Sequence, residues 1–104
     1  MLIVNTPTVP NKAITEIHCI SRGSIVRARN FGSYIFAGLK NIVGREISEY
    51  TKLQADSREQ ALQRMQEDAQ RMGANTIINV RITTSMVMQG CSEILAYGTA
   101  VTIK

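Results

Sequence analysis

The chain has no tryptophan, five aromatic residues in all and a single histidine, His18. A core must therefore be built from Ile, Leu, Val, Ala and Met. One histidine with two cysteines, Cys19 and Cys91, and no CxxC spacing excludes the ordinary zinc ligand sets. Nucleophilic catalysis needs a base beside a thiol or hydroxyl, and the one adjacent candidate, Cys19, points away from His18 on a strand. The glycines at 38, 44, 73, 90 and 98 follow no phosphate-cradling spacing. Glu49, Asp56, Glu59, Glu67 and Asp68 fall at the spacings of a solvated helix face. The chain reads as a non-enzyme, for which no cofactor is specified. No apolar run approaches the ~20 residues of a membrane span, and Met1 to Pro10 lacks the basic start and apolar middle of a signal peptide. A cytoplasmic protein with free thiols, and no membrane partner, is the expectation.

What is present suits one small domain. A chain of 104 residues, 44% of them hydrophobic, buries roughly 65% of its unfolded surface and needs neither metal nor disulfide to hold a core. The net charge of +4 sits in the first half, where Lys12, Arg22, Arg27, Arg29, Lys40 and Arg45 face only Glu16 and Glu46. A basic face of this kind allows a nucleic-acid or anion binder as an alternative reading. The interleaved aromatics and the Lys/Arg run of a nucleic-acid binder are absent, so a solvated edge is preferred and nucleic acid is not the expected partner.

Leu2 to Asn5 forms a short apolar lead, and Pro7 and Pro10 confine the next segment, Thr6 to Lys12, to a loop or a sheet edge. Ala13 to Arg29 alternates as strand, with Gly23 predicted to mark a turn or bulge between two short strands. A short helix is predicted from the stripe Ile35, Phe36, Leu39, Ile42 and Val43, ended or bent by Gly44. A longer one comes next, carrying Ile47, Tyr50, Leu53, Ala61, Leu62, Met65, Ala69 and Met72, continuous across Asp56-Ser57 and capped by Gly73. Thr76 to Met86 and Glu93 to Lys104 then alternate as an antiparallel pair joined around Gln89-Gly90. The small row Ala96, Gly98, Ala100 suits close approach of the long helix. The fold class is α+β, an antiparallel sheet with its helices on one face. The other face, with Ile77, Leu95 and Tyr97, remains apolar and calls for cover by further copies of the chain.

Two sets of soft donors are present. His18 and Cys19 diverge on a strand and read as packing or exposure. Met86, Met88 and Cys91, gathered at a hairpin tip, offer thioether and thiolate donors that suit a soft metal ion such as monovalent copper. They are the candidate metal site.

The segments IFAGLKNIVG (35–44), EYTKL (49–53), REQALQRM (58–65), GAN (73–75) and AYGTAV (96–101) together resemble the YbjQ-like family of small uncharacterised bacterial proteins, sometimes labelled "putative heavy-metal-binding". The likeness covers nearly the whole chain. It implies a dodecin-like α+β subunit in a ring-shaped homopentamer, with Gly38, Gly44, Gly73, Asn75, Gly98 and Thr99 as structural positions. Ser33-Tyr34 replaces a charged pair common in relatives, and Arg45 replaces a frequent second glycine after Gly44. The sequence reading is a homo-oligomeric binding or scaffold protein, with a metal or small ligand held where subunits meet.

Overall fold

The strand Cys91–Ile103 lies within a four-stranded sheet, with Ile94, Ala96, Gly98 and Ala100 buried on one face and Leu95, Tyr97 and Thr99 half-buried on the other. The computed structural model describes residues 1–28, 45–88 and 91–104, with backbone alone at 27–28 and 45–54. In chain order the elements are β1 (Leu2–Ile3), β2 (Ile14–Ala28), α1 (Arg45–Met72), β3 (Thr76–Met88) and β4 (Cys91–Ile103). The expected short helix with Gly38 and Gly44, and the turn at Gln89-Gly90, fall outside the described residues.

The sheet order is β1-β3-β4-β2, with both β2 and β3 antiparallel to β4. The sheet is mixed rather than purely antiparallel, because β1 runs parallel to β3. Beyond β1, Val4 donates to the Ile77 carbonyl, and Val80 and Asn79 donate to the carbonyls of Val4 and Thr6. Those contacts depend on a bulge. Ile78 pairs with Thr99 and Arg81 with Tyr97, so Asn79 and Val80 together oppose Gly98, and Asn79 takes φ 53° to make the extra turn. The bulge also turns Ile77 into the helix-facing core, whereas the sequence pattern places it on the outer face.

β2 is one strand of 15 residues, which corrects the predicted break at Gly23. Gly23 pairs normally with Ala96, and a Cβ there would collide with the backbone of Met65 and Ala61. Its role is to let α1 rest directly on the sheet. Around it α1 presents Ser57, Ala61, Met65 and Ala69, all buried at four-residue spacing. They meet Ile25, Ile77, Ile94, Ala96 and Ala100, flanked by Ile3, Leu62, Met72 and Val80. Small side chains dominate this contact, so much of its stability comes from Met65, Ile77 and Ile94, each contributing about 1.5 to 3 kcal/mol.

The long helix is continuous through Asp56-Ser57, as its stripe implies. It ends in a Schellman cap: Gly73, at φ 86°, donates to the Gln70 carbonyl at 3.0 Å, and Ala74 donates to Ala69 at 3.1 Å. Gly98 corrects a second expectation. Its neighbours Ala96 and Ala100 pack in the helix-facing core, but a Cβ on Gly98 would meet Ile77 Cγ2 at 2.7 Å and the Ile78 carbonyl at 2.9 Å. The small residue there accommodates the bulged strand beside it rather than the helix.

The chain is long and thin, 55 × 23 × 16 Å, with a radius of gyration of 17.3 Å, against about 13 Å for a compact domain of this length. Its accessible surface is 6963 Å², whereas a folded monomer of this mass exposes about 5,800 Å².

Candidate functional site

The C-terminal half of β3 is exposed throughout. Residues Arg81 to Met88 are all exposed, including Ile82 (41%), Val87 (57%), Met88 (64%) and Met86 (80%). On its outer side β3 has backbone partners only up to Val80, so among the described residues the edge from Ile82 onward is open. From Ile82 to Met88 this edge carries no charge. Exposed β-branched and thioether side chains along an open edge form a ready template for another strand.

The three soft donors named from the sequence lie here, divided by register. Met88 is the cross-strand partner of Cys91, and Cys91 is also opposite Ala28 on β2. Met86 is opposite Ser92, with a register shift between Met86 and Met88. Cross-strand partners share a face, so Met88 and Cys91 are together and Met86 is on the other face. Cys91 is half-buried. Among the described residues, no group of three or more His, Cys, Asp or Glu side chains is placed to hold a metal ion.

Beside the same edge is an open groove of about 520 Å³, lined by Ile3, Val4, Asn5, Leu62, Val80, Arg81 and Ile82. Its walls are mainly apolar. Arg81 is at one end, with Nη1 donating to the carbonyls of Asn5 at 3.1 Å and Val80 at 2.9 Å. These bonds hold the guanidinium in place and leave its remaining N–H groups to a ligand. The sequence pattern gives no sign of this groove because the bulge at Asn79, which brings Val4 and Asn5 alongside Val80 and Arg81, leaves no periodic signal.

His18 and Cys19 are not brought together as ligands. His18 is mostly buried, its Nε2 hydrogen-bonded to Thr102 Oγ1 at 2.7 Å and its Nδ1 4.0 Å from Glu16 Oε1. Cys19 is exposed on β2, next to a register shift between Ile17 and Cys19. Both cysteines are free thiols.

The outer edge of β2 is partly closed by the helix. Arg22 donates its backbone N–H to Asp68 Oδ2 at 3.1 Å, and Arg64 Nη1 donates to the Ser24 carbonyl at 2.7 Å. Asp68 also accepts from Arg71, and the buried Ser21 hydroxyl donates to the Met65 carbonyl at 2.6 Å. Two helix residues, Asp68 and Arg64, thus hold edge backbone groups of β2, and Met65 holds its Ser21 side chain. Ile17 (68% exposed), Ile20 (62%) and Val26 (53%) stand uncovered on either side of the fixed stretch. No helix among the described residues is long and apolar enough to cross a membrane.

A family profile described as "putative heavy-metal-binding" matches residues 1–104. Similar chains include a UPF0145 protein from Methanosarcina acetivorans, 50% identical over 99% of this chain and 97% of the relative. Another, from Hahella chejuensis, is 49% identical over the full length of both chains. A third, from Pyrococcus furiosus, is 47% identical over 100% of this chain and 91% of its own. The relatives thus include archaeal proteins, and the group is not confined to bacteria. The crystal structure of a DUF74-family protein of unknown function from Pediococcus pentosaceus superposes with a TM-score of 0.67 at 14% identity, covering 100% of this chain and 98% of that one. That likeness concerns the fold alone.

Proposed function

The chain belongs to the YbjQ family described as "putative heavy-metal-binding", and from that membership we propose a non-enzymatic binding protein, a dodecin-like subunit that closes into a homopentameric ring. Its ligand, a soft metal ion or a small molecule, is held where subunits meet. The observation that carries this reading is the open, uncharged edge of β3 with Met86, Val87 and Met88 exposed. An isolated chain would present that edge to solvent, and a closed assembly of identical chains covers it.

Each candidate site on one chain is incomplete in a way that copies would complete. Met88 and Cys91 supply two soft donors on one face, only one of them a thiolate, and neighbouring tips supply further donors. The groove beside Arg81 is open, and a neighbouring subunit gives it a second wall. Its apolar lining and one fixed guanidinium suit a small apolar carboxylate.

The test is metal analysis of protein purified from its own host, followed by anaerobic titration with monovalent copper against a chromophoric competitor. Binding that is lost in Met88→Leu and Cys91→Ser, and unchanged between low and high salt, supports the metal site. Binding untouched by both substitutions removes it. Affinity for nucleic acid that falls steeply with salt would favour the basic-face alternative instead.

A further inference from the structure

The geometry points to the groove beside Arg81 as a binding site for a monocarboxylate with an unbranched apolar chain, its head group held by Arg81 and its chain lying along the β3 edge beside α1. The inference deepens the small-molecule reading proposed above, on which it rests, by naming the class of ligand and the groups that recognise it.

The strand register separates a charged side of the groove from an apolar one. Beyond the bulge, Arg81 is opposite Tyr97 and Ile82 is opposite Ala96. Ala96 belongs to the core beneath α1, so Ile82 is on the helix side of the sheet and Arg81 on the outer side. Arg81 is drawn to the strand edge by its bonds to the carbonyls of Asn5 and Val80. Of the lining residues only Asn5 and Arg81 are polar, and they are bonded to each other. Polar recognition is thus confined to one end. The rest of the lining is hydrocarbon, and three of its walls, Ile3, Leu62 and Val80, are packed against the core, so the surface that takes an apolar chain is already formed.

The charged end selects the head group. Both carbonyl bonds are made by Nη1, which has two N–H groups and here two acceptors. The donors left are the Nε–H and the N–H groups of Nη2. Nε–H and one Nη2–H are parallel, the fork that takes both oxygens of a planar carboxylate. Among the described residues the ion pairs are His18–Glu16 and Arg71–Asp68, so no described carboxylate occupies this fork. One fixed positive charge with no acidic residue in the lining matches a single negative charge. A phosphate monoester carries about −1.5 to −2, and one guanidinium would leave part of that unpaired. The volume of about 520 Å³ falls within the roughly 300 to 1,000 Å³ of small-molecule sites.

Amide-resolved NMR on the deuterated full chain, titrated with octanoate and separately with 1-octanol, tests the assignment. Octanoate is expected to shift the amides of residues 3–5, 62 and 80–82 and to bind about tenfold more tightly than 1-octanol, a ratio within reach of one charge-assisted pair. Arg81→Gln should remove that preference and leave the weaker binding of 1-octanol. Because Arg81 also ties Asn5 to β3, Ile82→Glu provides an independent check. It keeps Arg81, places a carboxylate at an exposed wall position, and should abolish octanoate binding in a chain that folds like the parent by circular dichroism. Equal binding of octanoate and 1-octanol, a preference unchanged in Arg81→Gln, or octanoate binding unchanged in Ile82→Glu would overturn the inference while leaving the groove as an apolar ligand site. Shifts at the groove residues with neither ligand would overturn it and remove the groove from the proposed function as well.

Discussion

Gly23 and Met65 meet backbone to backbone where α1 crosses β2, so closely that a methyl group on the glycine would overlap the Met65 amide. The adjoining hydrogen bond from Ser21 to the Met65 carbonyl, at 2.6 Å, fixes the same turn of helix. Gly23→Ala is expected to lower stability by about 1 to 3 kcal/mol, because the obstruction is backbone and cannot rotate aside. Urea denaturation followed by circular dichroism measures it. An unchanged midpoint would mean that the helix does not rest directly on β2.

Gly98→Val is expected to cost a similar amount, about 1 to 3 kcal/mol or loss of folding. The cause differs from the one the sequence suggests. The new side chain would press on Ile77 and the Ile78 carbonyl in the bulged strand, not on the helix. Backbone amides of residues 77 to 80 should therefore lose most protection in hydrogen exchange. A variant that melts like the parent would leave the bulge unsupported.

Asn75 acts as a short length of strand. Its side-chain amide donates to the Ile103 carbonyl at 3.0 Å and accepts from the Ile103 N–H at 2.9 Å, while its own N–H donates to Val101. Asn75→Ala removes both side-chain bonds to Ile103, and the one accepted from Thr76 Oγ1, and is expected to cost about 1 to 2 kcal/mol, moderated by solvent access. Thermal melting checks it; a variant as stable as the parent would mean that water replaces the pair without loss.

The thiols separate by exposure. Cys19 should react with a thiol reagent before the half-buried Cys91. Equal rates, or the reverse order, would mean that β2 does not present Cys19 to solvent.

Periodic signals are legible in the sequence and local departures from them are not. The stripe Ala61, Met65, Ala69 marks the long helix and its buried face, the Gly73 stop marks its cap, and the alternation of Ile94, Ala96 and Ala100 marks β4. Gly23 misleads because a glycine that admits a helix backbone and a glycine in a turn look alike in a linear chain. Ile77 is misplaced by the pattern because a register shift reverses the faces of the residues on its far side, and no periodic signal marks the shift at Asn79. Met86, Met88 and Cys91 are neighbours along the chain, but the shift beside Met88 divides them between faces. The Arg81 groove is not legible because it joins residues 3–5, 62 and 80–82, which only the fold brings together.

Multi-angle light scattering on the unmodified protein, at concentrations down to the low micromolar range, tests the central claim most directly. A chain of 11.5 kDa that covers its β3 edge with a further copy of itself, in a closed ring of five, gives a mass about five times its own that does not fall on dilution. A monodisperse, well-folded species with the mass of one chain would contradict the account.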